Sequence, residues 1–464
     1  MAKYKPLIIR QKLVLRTVSR QRRGLCGKPN SPSIFSVKLR VFCVSVLKKN
    51  SPEECRPFFN TERIHGVHGE RLIYSYSPVN FLFPLRKRLS ESRSTGIGNF
   101  AQESFRMIPV RILHEFAFAP DECRILPFGT GLINQTWKLH YKGSNYILQR
   151  INHRIFLEPR HIDENISQIS DYLAQHHPGY LFTAPVKSPD GRSLMVTPEP
   201  AYFRMFPFLE GSVSHDVAKS PQIAFEAAAQ FGKFTRLLAG FPEAALQLTL
   251  PDFHNLTLRQ QQFEDAVQMG DPVRLAESKS CIGELMGHRY IADRYREISQ
   301  DPAFKKRITH HDTKISNILF DQNGNGLCVI DLDTVMPGYF ISDVGDMIRT
   351  YVCPVNEEEK NLDKIVIRDD YFEAIVQGYL QEMHEELTDT EISHFVYAGQ
   401  FMIYMQAIRF LTDHLNNDQY YGISYAGQNL VRAMNQTMLL QKLTEKLKGF
   451  EKMVQQYKKT GVLS

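Results

Sequence analysis

Residues 308–346 read Ile308-Thr-His-His-Asp312-Thr-Lys314-Ile-Ser-Asn317-Ile-Leu-Phe320, then Asp321-Gln-Asn-Gly-Asn-Gly326, then Leu327-Cys-Val-Ile-Asp331-Leu-Asp333 and on through Asp343-Val-Gly-Asp346. Two short apolar runs, Ile318–Phe320 and Leu327–Ile330, flank Asn323-Gly324. Asn-Gly in that setting predicts a tight hairpin, because both turn positions call for φ > 0. Such a hairpin brings its ends together and sets Asp312, Lys314 and Asn317 beside Asp331 and Asp333. An acidic loop capped by its own Asp and Asn side chains would look similar over a few residues. Here the hairpin and both flanking motifs coincide, which favours a site.

The grouping suits phosphoryl transfer. In the catalytic loop H-R-D-x-x-x-x-N of protein kinases, the Asp orients the attacking hydroxyl and the Asn holds Mg²⁺, while a later Asp also holds metal. Asp312 and Asn317 have that interval, and Asp331 arrives after the hairpin. Hard Mg²⁺ prefers oxygen ligands, which an amide carbonyl and a carboxylate supply. Asp312 is therefore expected to act as catalytic base and Lys314 to neutralise charge on the transferred group. Asn317 and Asp331 are the expected metal ligands. Asp333 is expected to ligate the metal or to support a ligand.

H-x-D-x-x-x-x-N followed by a hairpin and Ile-Asp resembles the aminoglycoside phosphotransferase and choline kinase superfamily of small-molecule kinases. More narrowly, THHDTKISNILF together with VIDLDTVMPG resembles the N-acetylhexosamine 1-kinase branch. The resemblance runs from about Met107 to the C-terminus. It implies an α+β, two-lobed, protein-kinase-like fold, with a small mostly β lobe over 107–207 and a larger helical lobe over 208–464. It also implies ATP and Mg²⁺ as cofactors, and a small-molecule sugar rather than nucleic acid or membrane as the partner. A cationic acceptor, such as an aminoglycoside or amino alcohol, is the competing expectation and would need an acidic, aromatic-lined pocket. An inactive nucleotide-binding scaffold would be expected to lack Asp312, Asn317 or Asp331, and all three stand here.

In the first lobe, Leu126-Pro-Phe-Gly129-Thr-Gly131-Leu-Ile-Asn134-Gln-Thr136 predicts strand, glycine turn and strand. Gly129 and Gly131 let the backbone approach an anion, although ordinary hairpins use the same glycines. Strand on both sides argues against a dinucleotide-binding fingerprint, which needs a helix after the glycines. Asn134 and Thr136 match polar positions of the hexosamine-kinase pattern. Asn145–Arg150 is a strand where kinases carry a phosphate-pairing lysine. Gln149 and Arg150 stand there instead, so Arg150 is expected to meet phosphate. By analogy with the kinase Lys–Glu pair, Glu164 on the helix expected over 158–175 is its partner. Position and pattern make Tyr202–Phe208 resemble an adenine hinge, with main-chain groups of Met205, Phe206 and Phe208 reading the base.

Helical periods dominate after Ser220. In the superfamily the Asp-x-Gly aspartate braces the catalytic loop, a role carried over to Asp343. Arg409 interrupts an apolar stripe over 397–415 and is expected either to contact substrate or to pair with Asp413 at i+4. His254 is expected to cap or to be exposed, with contact to substrate as the other reading. Residues 434–457 read as one amphipathic helix.

Charge divides the chain. Residues 1–106 hold 21 basic and 6 acidic residues, a balance of +15, while the whole chain carries +6, which leaves −9 on the remainder. No aspartate precedes residue 121. The basic segment reads as an organellar transit peptide, as a basic nucleic-acid or membrane-surface arm, or as a start upstream of the functional chain. The seven cysteines are scattered without C-x-x-C spacing, which argues against zinc or a disulfide framework and points to a reducing, cytoplasmic compartment.

Overall fold

The computed structural model describes residues 108–129 and 133–460. The expectations for residues 1–106 and for Gly131 lie outside the described residues. Helix α1 (Val110–Glu115) precedes strands β1 (Arg124–Pro127), β2 (Gln135–Tyr141) and β3 (Ser144–Ile151), helix α2 (Pro159–His176), and strands β4 (Met195–Val196) and β5 (Tyr202–Pro207). These strands form one antiparallel sheet in the order β1-β2-β3-β5-β4. Strand alternation sends Trp137, Leu139, Leu148, Phe203 and Met205 to one face, where they pack with Ile112, Leu113 and Phe116. The opposite face carries Thr136, Lys138, Ile147, Gln149, Arg204 and Phe206 and looks into the cleft. Helix α2 buries Ile162, Ile166, Ile169 and Leu173 at helical spacing, each contributing about 1.5–3 kcal/mol. Those side chains belong to the same core as the second lobe.

The second lobe begins with α3 (Pro221–Leu237), entered through an N-cap in which Ser220 Oγ accepts from Ile223 N–H and a proline starts the helix. Helices α4 (Leu256–Met269), α5 (Pro272–Glu277), α6 (Lys279–Gly287) and α7 (Tyr290–Ile298) follow. Residues 307–338 supply β6 (Arg307–Thr309), β7 (Ile318–Phe320), β8 (Gly326–Val329) and β9 (Met336–Gly338), with β6 paired to β9 and β7 to β8. Helices α8 (Phe340–Tyr351), α9 (Asp369–Met383), α10 (Asp389–Ile392), α11 (Phe395–Leu415), α12 (Gln428–Glu445) and α13 (Leu447–Thr460) complete the lobe. The fold is protein-kinase-like: a mostly β lobe beside a larger helical one. Gly345 of α8 sits so close to α11 that an added Cβ would lie 2.3 Å from the Ala398 carbonyl oxygen. That position admits only glycine without moving α8.

Two local expectations need correction. The expected two-residue Asn-Gly turn is a five-residue loop in which Gly324 has φ +88°. Asp321 organises it, its Oδ1 accepting from the N–H groups of Asn323 and Asn325. The expected single C-terminal helix is two, meeting at Lys446, whose N–H returns to Leu443 O. The break lets Phe450 stack on Phe372 of α9 with ring centres 3.9 Å apart. Among the described residues, no helix is long and apolar enough to cross a membrane.

Candidate active site

The loop between β6 and β7 is fixed mainly by bonds between side chains and main-chain groups. Asp343, in the first turn of α8 and fully buried, accepts from His310 N–H through Oδ2 (3.0 Å) and from His311 N–H through Oδ1 (2.7 Å). Thr313 Oγ donates to the Asp343 carbonyl, and Tyr351 Oη donates to the Thr313 carbonyl. His311 is held at φ +64°, a costly conformation for a residue with a Cβ. Gly338 makes room for its ring, since a Cβ there would be 2.3 Å from His311 Cε1. Burial pushes the Asp343 carboxyl up to about 7, while its two N–H donors pull the other way.

On this frame Asp312 projects into the cleft. Its Oδ2 meets Lys314 Nζ at 3.0 Å and Asn317 Nδ2 at 3.1 Å, and the same amide nitrogen donates to the Asp312 carbonyl at 2.8 Å. Asn317 therefore spends its NH₂ on Asp312 and keeps its carbonyl oxygen for another partner. Desolvation by the surrounding protein works against the Lys314 ammonium, which is itself exposed, but Asp312, Asp346 and Asp331 outweigh it and raise its pKa. The hairpin does what its sequence implies: Ile330 N–H donates to Asn317 O at 2.8 Å, bringing Asp331 alongside. Asp331 adopts a left-handed conformation (φ +62°, ψ +61°) just before a short 3-10 turn over residues 332–334. Desolvation by the surrounding protein, Asp333 and Asp312 raise its pKa, against Arg204 and Lys314, although the residue itself is exposed.

The residues fit a hard divalent cation. Asp331 and Asp312 crowd one cleft, and the Asn317 carbonyl supplies a neutral oxygen. Among the described residues no group of three or more His, Cys, Asp or Glu side chains is arranged to hold a metal by itself. One or two carboxylates completed by substrate phosphates is how Mg²⁺ is commonly held.

Asp333 is 2 % exposed and is engaged by the first lobe: Asn134 Nδ2 donates to its Oδ2 at 2.7 Å, and Arg204 pairs with its Oδ1. Asn134 also accepts from Asn152 N–H, which ties the glycine loop to the end of β3. Gly129 holds φ +75° in that loop. The expected pairing of Arg150 with Glu164 is corrected. Arg150 alternates to the face away from the cleft and lies 6.0 Å from the Phe203 ring, and Glu164 is exposed on α2. The lysine position is filled by Gln149, whose Oε1 accepts from Arg204 Nε (3.0 Å) and Nη2 (2.9 Å). The α2 carboxylate that feels a first-lobe cation is Asp163, whose pKa burial raises while Ser193 and Arg204 lower it.

The adenine-hinge expectation is also narrowed. Met205 O accepts from Val186 N–H, Phe208 N–H donates to Asn145 O, and Phe206 pairs with Ile147 in the sheet. Those main-chain groups are committed within the protein. The Phe208 ring instead lies under Lys138 Nζ (3.4 Å) and meets Phe128 edge-on.

Behind Asp312 lies a second group of residues. Asp346 is buried, its Oδ1 accepting from Arg349 Nε and Nη2, and its Oδ2 has no partner among the described residues. Arg349 also donates to Glu357, and Arg432 pairs with Glu357 and Glu358. Arg409 donates to Gln406 and lies 5.5–5.9 Å from the rings of Phe253, Tyr420 and Tyr421. It does not pair with Asp413, which accepts from the N–H groups of Tyr420 and Tyr421 and from Asn429. His254 reaches His311, ring nitrogen to ring nitrogen, at 3.3 Å, rather than capping a helix. Sequence reading missed Arg204, Asp346 and Arg349. Arg204 had one available signal, a lone cation inside an apolar strand.

Burial holds His254, His310 and His311 below the ordinary histidine range, His311 at about 4. The unfolded chain protonates near 6.5, so this contribution is intact above that pH and is lost as pH falls through 6.5 toward 4. Buried carboxylates with raised pKa work in the opposite sense, so a difference between variants isolates the histidine. Between about pH 7.5 and about pH 5, the wild type should lose about 2 kcal/mol more stability than His311→Gln. Denaturant unfolding at the two pH values measures it, and parallel losses would contradict the assignment.

Residues 124–385 match the model of the APH phosphotransferase enzyme family. Among solved structures, the chain is similar to a microcompartment-associated aminopropanol kinase, with TM-score 0.51 and 16% identity over 74% of this chain and 97% of that one. It is also similar to an aminoglycoside phosphotransferase from Alicyclobacillus acidocaldarius, with TM-score 0.50 and 12% identity over 75% and 97%. At these identities the likeness is one of fold.

Proposed function

This chain belongs to the phosphotransferase enzyme family, and we propose that it is an ATP- and Mg²⁺-dependent kinase whose acceptor is a neutral sugar, an N-acetylhexosamine phosphorylated at its anomeric hydroxyl. The acceptor hydroxyl would lie against Asp312, which takes its proton as the oxygen attacks the γ-phosphorus. The bond from that phosphorus to the bridging oxygen breaks, and ADP leaves. Lys314 would meet the charge on the moving phosphoryl group. Asn317 and Asp331 would hold Mg²⁺, with Asp333 beside them, and the bound ion would neutralise phosphate charge. Gly129 and Asn134 would lie against the phosphates. The four cysteines among the described residues are unpaired, which suits a reducing cytoplasm.

The observation that carries the acceptor reading is the charge behind Asp312. The aromatic ring set that would receive an ammonium group, Phe253, Tyr420 and Tyr421, already surrounds the Arg409 guanidinium. Arg259 stands near enough for the two guanidinium groups to disfavour each other, and the nearby Glu357 and Glu358 are neutralised by Arg349 and Arg432. A cationic acceptor would be repelled, whereas sugar hydroxyls or an acetamide oxygen accept from arginine. The motif strings of the hexosamine-kinase branch point the same way.

An ATP-consumption screen of purified protein against N-acetylhexosamines, other free sugars, aminoglycosides and amino alcohols tests the reading. Turnover confined to N-acetylhexosamines is expected, and a signal only on cationic acceptors would overturn it. Arg409→Met should raise KM for the sugar by about 10-fold or more, the loss of one charged hydrogen bond, with a smaller change in kcat. An unchanged KM would remove Arg409 from the acceptor site.

A further inference from the structure

We propose that Arg204, on β5, is the cation that binds the nucleotide phosphates, replacing the β3 lysine that this chain lacks; the inference rests on the ATP-dependent reading above. Protein kinases place that lysine on the cleft face of β3. Here the cleft face of β3 offers Gln149, and its cross-strand neighbour on the same face is Arg204. Gln149 Oε1 takes both Nε and Nη2 of the guanidinium, which fixes the plane of the fork. The amide thus orients a cation it cannot itself supply.

Three further observations point to an anionic ligand. Arg204 is 1 % exposed, yet its Nη1 has no hydrogen-bond partner among the described residues. A buried charged donor left unsatisfied is costly, and a phosphate oxygen is the kind of acceptor that matches it. The guanidinium also pairs with Asp333, which Asn134 of the glycine loop holds from its other oxygen. Through Asp333 the guanidinium is thus linked to Asn134, at the end of the glycine motif expected over the phosphates. Finally, Arg204 acts electrostatically on Asp163 and Asp331 as well as Asp333. Bringing phosphates beside those carboxylates needs a fixed positive charge, and Arg is the residue that stays charged when buried. Lys138, another cation on this face, is committed to the Phe208 ring.

The test is calorimetric titration of ATP, ADP and adenosine into the full chain, comparing wild type with Arg204→Met, Arg204→Lys and Gln149→Leu. Arg204→Met should weaken ATP and ADP by about 30-fold or more while adenosine moves by less than about 3-fold, and Arg204→Lys should recover part of the loss. Gln149→Leu, which keeps the charge but frees its plane, should weaken ATP by about 3–10-fold with adenosine again spared. If Arg204→Met does not fold, Gln149→Leu decides by the same selectivity. Equal losses of ATP and adenosine would make Arg204 a packing residue between lobes, and unchanged ATP affinity would remove it from the site; either overturns the proposal alone. Failure of the wild type to bind ATP overturns the ATP-dependent reading and this inference together.

Discussion

Asp312→Asn should lower kcat by about 10²–10⁴-fold, the span expected when a positioned general base is lost, while ATP affinity stays within about 3-fold. The substitution is nearly isosteric, so its consequence is chemical. Asp312 Oδ2 is shared by Lys314 Nζ and Asn317 Nδ2. An asparagine keeps an oxygen for those donors but leaves nothing to accept the acceptor's proton. Its position does not depend on its own charge, because Asp343 holds the loop through the N–H groups of His310 and His311. Melting temperature should therefore hardly change. Steady-state kinetics with the best acceptor, alongside nucleotide titration, measure both halves. Near-wild-type turnover in Asp312→Asn would dismiss Asp312 as the base.

The parts of the site legible in the sequence are those whose geometry follows from the main chain. Two apolar runs around a Gly-containing loop imply a hairpin, and a hairpin forces Asn317 beside Asp331 whatever the rest of the fold does. The helix α2 stripe was equally legible, since its period alone decides which side chains face inward. What stayed hidden depended on strand register. One residue separates Gln149 from Arg150, and in a strand one residue is the difference between the cleft and the opposite face. Choosing the charged residue put a cation on the wrong side, and Arg204, whose side is set only by pairing with β3, went unseen. Arg409 shows a different limit. Its i+4 neighbour Asp413 suggested a local pair, but the loop at Tyr420 and Tyr421 claims that carboxylate through two main-chain N–H groups. Long-range demand for an acceptor outweighed the local one.

Asp343→Ala should be the most damaging single change to the frame of the site, costing about 2–6 kcal/mol, because it orphans two buried main-chain N–H groups at about 1–3 kcal/mol each. Against total stabilities of about 5–15 kcal/mol, that loss approaches unfolding. Asp343→Asn should cost roughly half as much, since its carbonyl can still serve one N–H while its NH₂ confronts the other. The functional loss should exceed the stability loss. His311 holds its left-handed conformation only while its N–H is anchored at 2.7 Å, and Asp312 follows it directly. A shift of about 1 Å in a reacting group is enough to cost about 10²-fold in rate. In Asp343→Asn, kcat should then fall by about 10²-fold under conditions where denaturant unfolding shows the protein still folded. An Asp343→Asn protein with wild-type stability and turnover would mean that the loop is held by the Thr313–Tyr351 and Thr334–His310 bonds instead. In that case the buried carboxylate would be a passive acceptor rather than the brace of the catalytic loop.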